Sequence, residues 1–212
     1  MSSALSVVIS CAGIGSRLGL GTTKALIPIE GKTLIQWQLE MFKDIEDIRI
    51  VVGFQAQEVI NEVRKHRDDV IFIYNHDYFH TKTGTSLYLG AQHAKEYVLG
   101  YDGDLLVHPE DMERLLKGGG VEYISYSDVS SDEAILITTD EQGDVLSFSP
   151  SSGSFEWTGP ACIKKEKLQY TSQHVYNQLE KYLPMRGVKI RACDIDTYKD
   201  YKRAIEFVRS WR

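Results

Sequence analysis

The chain has 212 residues, of which 42% are hydrophobic and 25% charged, so it is long enough for one sizeable core and typical of a globular protein. Its formal net charge of -6 argues against a nucleic-acid-binding surface. Three widely spaced cysteines argue against a zinc site or a disulfide framework, and no apolar run is long enough for a membrane span. We therefore expect a cytoplasmic protein with neither nucleic acid nor a membrane as partner.

The first half of the sequence alternates between strand and helix patterns. Apolar, β-branched runs predict buried strands at 5–10, 48–54, 70–74 and 100–107, with a short extended segment at 25–29. Helical spacing and capping signals predict helices at 33–43, at 55–66, from Thr85 or Ser86 to about 97, and from Pro109 onward. This alternation predicts an α/β fold with a Rossmann-like, mostly parallel mixed sheet flanked by helices.

The second half changes character. We predict strands at 121–126, 133–139, 144–149, 155–163 and 188–195, with a hairpin turn at 140–143. We predict helices at 164–168, 173–183 and 198–211. The change fits a single domain, residues 1–212, with a nucleotide-binding half at about 1–118 and an acceptor-binding half at about 119–212.

A glycine loop follows the first strand. It holds four glycines together with Arg17 and Lys24. Glycine lets a backbone approach a ligand closely, and converging N–H groups with two cations suit a polyphosphate. A dinucleotide-binding turn requires a third glycine where Leu18 stands, and no Gly-Lys-Ser/Thr follows for a P-loop. A glycine-rich connection without a ligand stays open as the alternative.

The loop resembles the signature of the nucleoside-triphosphate transferases that make nucleotide-activated sugars and alcohols. The matching segments are CAGIGSR at 11–17 and TKALIPI at 23–29. The resemblance implies nucleotide contacts from the signature and a catalytic role for its two cations; these residues are Ala12, Gly13, Gly15, Ser16, Arg17 and Lys24. The chain departs from the signature at Cys11, which replaces alanine, and at Thr23, which replaces proline and removes a restraint on φ.

The strand predicted at 100–107 carries two carboxylates. Asp102 and Asp104 lie at the end of a predicted parallel strand, where open α/β sheets bind ligands, and Mg²⁺ prefers such oxygen ligands. Strand alternation does not choose between them, since both point to one face. The resemblance assigns the metal to Asp104, and we place Asp102 among the nucleotide contacts. An Asp-Gly-Asp surface turn is the alternative.

A late acidic motif supplies the second metal candidate. Asp196 precedes Thr197 as in the family's late Ile-Asp-Thr motif, so the resemblance implies that it shares Mg²⁺ with Asp104; Asp194 is the second choice. The alternative is that Asp196 or Thr197 caps the closing helix.

A second loop resembles the family's contact to base and ribose. It comprises Gly84, Thr85 and Ser86, and a capping motif is the alternative. The family branch that acts on phosphocholine carries paired asparagines here, whereas this chain has Lys82 and Thr83, so the loop leaves the acceptor open.

Candidate acceptor contacts are spread over the chain. Trp157 and Gly159 lie where the resemblance implies an acceptor-site strand, and Trp157 and Tyr88 offer rings for a quaternary ammonium. Lys164 is a candidate ligand for the acceptor phosphate. The alternatives are core aromatic residues and a solvated lysine.

The resemblance implies a Mg²⁺-dependent cytidylyltransferase. Such an enzyme joins CMP from CTP to a small phosphorylated or phosphonate acceptor, releases pyrophosphate, and works as a monomer or homodimer, here in cell-surface polysaccharide synthesis. A sugar-1-phosphate nucleotidyltransferase that uses UTP or another triphosphate, and a non-catalytic nucleotide-binding module, are the alternatives.

Overall fold

The structure, a computed structural model, describes residues 4–118, 120–131 and 133–211. Within these ranges the strands, in chain order, are β1 Leu5–Cys11, β2 Pro28–Ile29, β3 Lys32–Thr33, β4 Ile48–Val52, β5 Val70–Tyr74, β6 Tyr97–Asp102, β7 Leu105–Val107, β8 Tyr123–Ser127, β9 Leu136–Thr139, β10 Val145–Ser149, β11 Phe155–Lys164, β12 Gly187–Lys189 and β13 Ala192–Asp194. The α-helices are α1 Leu34–Met41, α2 Ala56–Arg64, α3 Thr83–Ala91, α4 Pro109–Lys117, α5 Val175–Leu179 and α6 Tyr198–Arg209.

A nine-stranded mixed sheet runs through the molecule in the order β10-β9-β11-β6-β1-β4-β5, with β8 on the other side of β11 and β12 beyond it. One side of the sheet, β6-β1-β4-β5, is parallel. β11 pairs antiparallel with β6, β8 and β9. Two small antiparallel sheets, β13-β7 and β2-β3, lie outside it. The predicted fold class is confirmed.

Helices cover both faces of the sheet, and successive side chains of β1 point to opposite faces. Val7 and Ile9 pack in one cluster with apolar residues of α1, α2 and α4. Val8 packs in the other with residues of α3 and α5. Strands buried on both faces explain the continuous apolar runs in the sequence.

Several predicted elements differ from the observed ones. The strand predicted at 100–107 is interrupted after Asp102, because Gly103 turns the chain and donates its N–H to the Ser10 carbonyl at 3.0 Å. The strand predicted at 188–195 divides into β12 and β13, which belong to different sheets. The extended segment predicted at 25–29 begins instead with a 3₁₀ turn, Lys24–Leu26.

The helix predicted to start at Thr85 or Ser86 begins earlier, at Thr83, and ends at Ala91. Neither Thr85 nor Ser86 is therefore its cap. The residues up to 97 lead instead into β6.

None of the helices in the described ranges combines the length and the apolar character needed to span a bilayer.

We expect Thr197→Ala to lower the free energy of unfolding by about 1 kcal/mol. Thr197 caps α6 and forms a capping box with Asp200, in which its hydroxyl accepts from the Asp200 N–H. Urea denaturation of this variant is compared with Lys199→Ala, an exposed first-turn change in the same helix. Equal stability of the two variants would contradict the assigned cap.

Candidate active site

The candidate site lies at the carboxyl ends of β1 and β6. Ser10 and Asp102 are register partners there, so the glycine loop after β1 begins beside the turn that follows β6. A Cβ on Gly103 would lie 2.5 Å from the Ser10 carbonyl oxygen, so only glycine allows this close approach.

Three carboxylates from distant parts of the chain converge at this turn. β13 pairs with β7, which places Asp194 opposite Leu105, and the Ile195 N–H donates to the Asp104 carbonyl at 3.1 Å. One carboxylate oxygen each of Asp104, Asp194 and Asp196 lies within 4.8 Å of the others. The sequence placed Asp104 and Asp196 at one metal and held Asp194 as second choice; the structure brings all three together.

The residues present fit a magnesium ion. All three candidate ligands are carboxylates, the hard oxygen donors that Mg²⁺ prefers. Asp194 Oδ1 is buried and has no hydrogen-bond partner in the described part of the chain, which leaves it free to bind a cation. Asp104 and Asp196 would share the ion with it.

Lys24 and Arg17 both donate hydrogen bonds to this carboxylate cluster and share Asp196. Lys24 Nζ donates to Asp104 Oδ2 at 2.8 Å and also to Asp196 Oδ1, and only 12% of its side chain is exposed. Arg17 donates to Asp196 at 2.7 Å and to Glu133 at 3.0 Å, and is 56% exposed. A Cβ on Gly15 would approach Lys24 Cγ to 3.0 Å, so this glycine makes room for the lysine stem.

Burial and crowding shift several pKa values at the site. Burial, then the Asp104 charge, raises the pKa of Asp102 to about 7. The same causes hold the pKa of Asp194 well above its ordinary value. Burial opposes the charge on Lys24, but Asp104 and Asp196 outweigh it, so the pKa of the ammonium is raised.

Three adjoining cavities meet at Asp104. The glycine-loop cavity, about 300 Å³, is bounded by signature residues together with Lys82; the signature residues are Gly13, Gly15, Ser16, Arg17 and Lys24. The Asn75 cavity, about 200 Å³, is bounded by Ala12, Asn75, Tyr78 and Ser86, among others. The Trp157 cavity, about 360 Å³, is bounded by Trp157, Gly159, Tyr176, Glu133 and Glu156, among others.

Gly84 and Thr85 do not bound these cavities. A Cβ on Gly84 would lie 2.5 Å from the Gln173 carbonyl oxygen, and Thr85 Oγ1 donates to the Thr171 carbonyl at 2.6 Å. Their place is the contact of α3 with the segment before α5. Ser86 alone of the predicted trio faces a cavity, and it accepts from Asn75 Nδ2 at 3.3 Å.

Two predicted acceptor residues lie elsewhere. Lys164 pairs with Tyr97 at the amino end of β6, the edge of the sheet opposite Asp102, and lies 3.8 Å from Glu96. The structure therefore does not bring Lys164, the predicted ligand of the acceptor phosphate, to the candidate site. Tyr88 packs edge-on against Tyr170 and bounds none of the three cavities.

A bulge in β11 shapes the wall of the Trp157 cavity. The register with β8 shifts between Trp157 and Ala161, and Gly159 has φ +99° there. Such bulges re-aim side chains beside active sites. Trp157 faces the cavity in this way, and Gly159 meets Asp102 without a side chain between them.

Sequence reasoning missed several cavity residues. Glu133 reaches Arg17 across 116 positions, and Glu156 is buried while accepting from the Ser130 and Ser131 N–H groups. His174 borders two cavities at the start of α5. No local motif marks these residues, because their neighbours come from other segments; Asn75 alone carried a cue, as a polar residue directly after a strand.

Comparisons with known proteins identify one family. Residues 7–182 match the family described as "MobA-like NTP transferase domain". The choline-phosphate cytidylyltransferase of Streptococcus pneumoniae is 33% identical over 107 residues, which cover 48% of this chain and 46% of that protein. The bifunctional protein GlmU of Sulfurimonas denitrificans is 24% identical over 187 residues, 85% of this chain and 41% of that protein. The chain thus spans less than half the length of these relatives.

Solved structures show the same fold. The CTP:phosphocholine cytidylyltransferase from Streptococcus pneumoniae superposes with a TM-score of 0.75 at 20% identity, over 97% of this chain and 99% of that one. The inositol-1-phosphate CTP transferase from T. maritima gives a TM-score of 0.81 at 16% identity, over 99% and 98%.

We expect Gly159→Ala to lower the free energy of unfolding by about 1–3 kcal/mol, because its backbone is left-handed and the new Cβ would lie 2.4 Å from Asp102 Oδ2. Gly118→Ala is the matched control, since φ is -76° there and the new Cβ meets its nearest neighbour at 3.4 Å. Urea denaturation measures both variants, and similar losses in the two would contradict this account of the bulge.

Proposed function

Because the chain belongs to the MobA-like NTP transferase domain family, we propose that it transfers CMP from CTP to a small phosphorylated or phosphonate acceptor and releases pyrophosphate. The observation that carries the proposal is the position of Lys24. Its ammonium lies on Asp104, at the point where the three cavities meet.

Each of the three cavities holds a different part of the substrates. The triphosphate lies in the glycine-loop cavity beside Lys24, Arg17 and Lys82, and the base occupies the Asn75 cavity. The acceptor enters the Trp157 cavity. Arg17 borders the glycine-loop and Trp157 cavities, so one guanidinium can serve both substrates.

The reaction needs positioning and charge neutralisation more than a base. An anionic oxygen of the acceptor attacks the α-phosphorus, a new P–O bond forms, and the bond to the β-phosphate oxygen breaks as pyrophosphate leaves. The attacking oxygen is already ionised, so no side chain has to remove a proton. Lys24 and Arg17 neutralise the charge that develops on the phosphates. Mg²⁺, held by the three aspartates, adds further neutralisation when it is bound.

CTP is favoured by the lining of the Asn75 cavity. Hydroxyls of Ser86 and Thr81 line it, and Asn75 Nδ2 orients both, at 3.3 and 3.1 Å. These groups can read the polar edge of a pyrimidine.

The Trp157 cavity favours an acceptor with a cationic group. Glu133 and Glu156 add two carboxylates to the acidic cluster, while Arg17 is the one lysine or arginine among the described residues that bound this cavity. Trp157 and Tyr176 supply aromatic faces for cation–π attraction. An ammonium-bearing phosphate or phosphonate satisfies both features.

The test is pyrophosphate release from CTP, UTP, ATP, GTP and dTTP with Mg²⁺, each against phosphocholine, phosphoethanolamine, 2-aminoethylphosphonate and sugar-1-phosphates. We expect release with CTP and an ammonium-bearing acceptor, because the cavities complement both. The matched control is 3,3-dimethylbutyl phosphate, which has the shape of phosphocholine without its charge, and we expect it to react at least about tenfold more slowly.

Other outcomes would replace the proposal. Release only with a sugar-1-phosphate would assign the chain to sugar-nucleotide synthesis. No release with any pair, with CTP still binding, would indicate a non-catalytic nucleotide-binding module. Equal rates with the charged and the neutral acceptor would contradict the proposal that carboxylates around the Trp157 cavity select a cationic acceptor.

We expect Lys24→Ala and Asp104→Ala each to lower kcat at least ~100-fold, the scale of losing one electrostatic stabiliser of a transition state. Circular dichroism establishes that each variant is folded. Lys65→Ala serves as a charge-matched control for Lys24→Ala, because Lys65 is exposed and bounds none of the three cavities. Near-wild-type turnover in either folded variant would refute the proposed roles.

A further inference from the structure

The segment before Lys24 is held in one conformation. Thr23 is buried, with 2% exposure, and precedes the 3₁₀ turn Lys24–Leu26. Its φ of -62° is the value that a proline ring would impose, yet threonine has no ring to fix it. Something else must restrain the backbone here.

Gln55 supplies contacts that can do so. Its Oε1 accepts from the Thr23 N–H at 2.8 Å and from Thr22 Oγ1 at 3.2 Å. Gln55 is itself fixed in a left-handed conformation, with φ 51°, and its carbonyl accepts from the Val59 N–H of α2 at 3.1 Å. The Gln55 side-chain oxygen therefore comes from a turn whose backbone is hydrogen-bonded to the first turn of α2.

The same turn also holds the other end of the glycine loop. The Phe54 N–H donates to the Ala12 carbonyl at 3.0 Å, immediately before the loop begins. Residues 54 and 55 thus fasten the loop at position 12 and again at position 23. Between these two points the loop curves around the glycine-loop cavity, and directly after the second one comes Lys24.

We propose that Gln55 is a positioning residue for nucleotidyl transfer: its side-chain oxygen holds Thr22 and Thr23 so that the Lys24 ammonium is aimed at the reacting phosphates. The inference rests on the proposed function. Gln55 touches neither Asp104 nor the cavities and acts only through the backbone that carries Lys24.

The chemistry of the contact gives a discriminating pair of variants. Gln55→Glu keeps oxygens that accept from Thr23, whereas Gln55→Asn tolerates the left-handed backbone but is one methylene too short to reach. We expect Gln55→Asn to lower kcat by about tenfold or more, because small misplacement of a catalytic group is costly, with the KM for the acceptor unchanged. The kcat of Gln55→Glu should stay within about threefold of wild type, because the carboxylate still accepts from the Thr23 N–H and no hydrogen bond is lost.

Proline at position 23 tests the restraint directly. In the Gln55→Asn background, Thr23→Pro restores φ through its ring, so we expect it to recover most of the lost kcat. In the wild-type background the ring occupies the place of the N–H that meets Gln55 at 2.8 Å, so the same change should lower kcat. The sign of the Thr23→Pro effect therefore depends on residue 55.

A readout independent of catalysis separates this inference from the proposed function. Amide hydrogen exchange of the peptide at 18–27, without substrates, should be about fivefold faster in Gln55→Asn, the factor that corresponds to one typical hydrogen bond, and unchanged in Gln55→Glu. The control is Gln57→Asn, an exposed change on the same helix.

Two results would overturn the inference: wild-type exchange and kcat in Gln55→Asn, or no recovery by Thr23→Pro in that background. If the wild-type protein transfers no nucleotide at all, the proposed function fails while the exchange experiment still decides whether Gln55 restrains the loop.

Discussion

A single buried ammonium, that of Lys24, joins the parts of this molecule that matter for its chemistry. It lies on Asp104, from the turn after β6, and on Asp196, from the junction between β13 and α6. Asp102 and Asp194 lie half-buried beside this cluster, where burial and the repulsion between neighbouring carboxylates raise both pKa values. Lys24 offsets that repulsion, so the group that we propose to neutralise phosphate during transfer also holds the acidic cluster together.

Local patterns were enough to predict most strands and helices of the first half of the chain. Continuous apolar runs gave the parallel strands because both faces of the central sheet are covered. The glycine loop, Asp104 and Asp196 were identified through the family resemblance. The structure brings them together because each begins within two residues of the end of a strand. Thr197 illustrates the same rule, since a capping box involves neighbours within one turn.

Sequence patterns did not reveal contacts between distant segments of the chain. Gly84 and Thr85 look like a binding loop, yet the segment before α5 packs against them and turns them inward. Lys164 belongs to the same strand as Trp157, but seven residues of extended chain carry it to the far edge of the sheet. Glu133 accepts a hydrogen bond from Arg17 in a distant loop, and no periodic pattern in the sequence predicts such a contact.

The two ends of β11 pair with different parts of the sheet. Its last residues, from Ala161 to Lys164, pair with β6 in the parallel core, while its first residues pair with the peripheral strand β9. The bulge at Gly159 separates them. Substitutions before the bulge can therefore remodel the wall around Trp157 while the core pairing stays intact. Under the proposed function, a lineage of such proteins could exchange one acceptor for another through a few changes in half a strand, with the glycine loop and the acidic cluster unchanged.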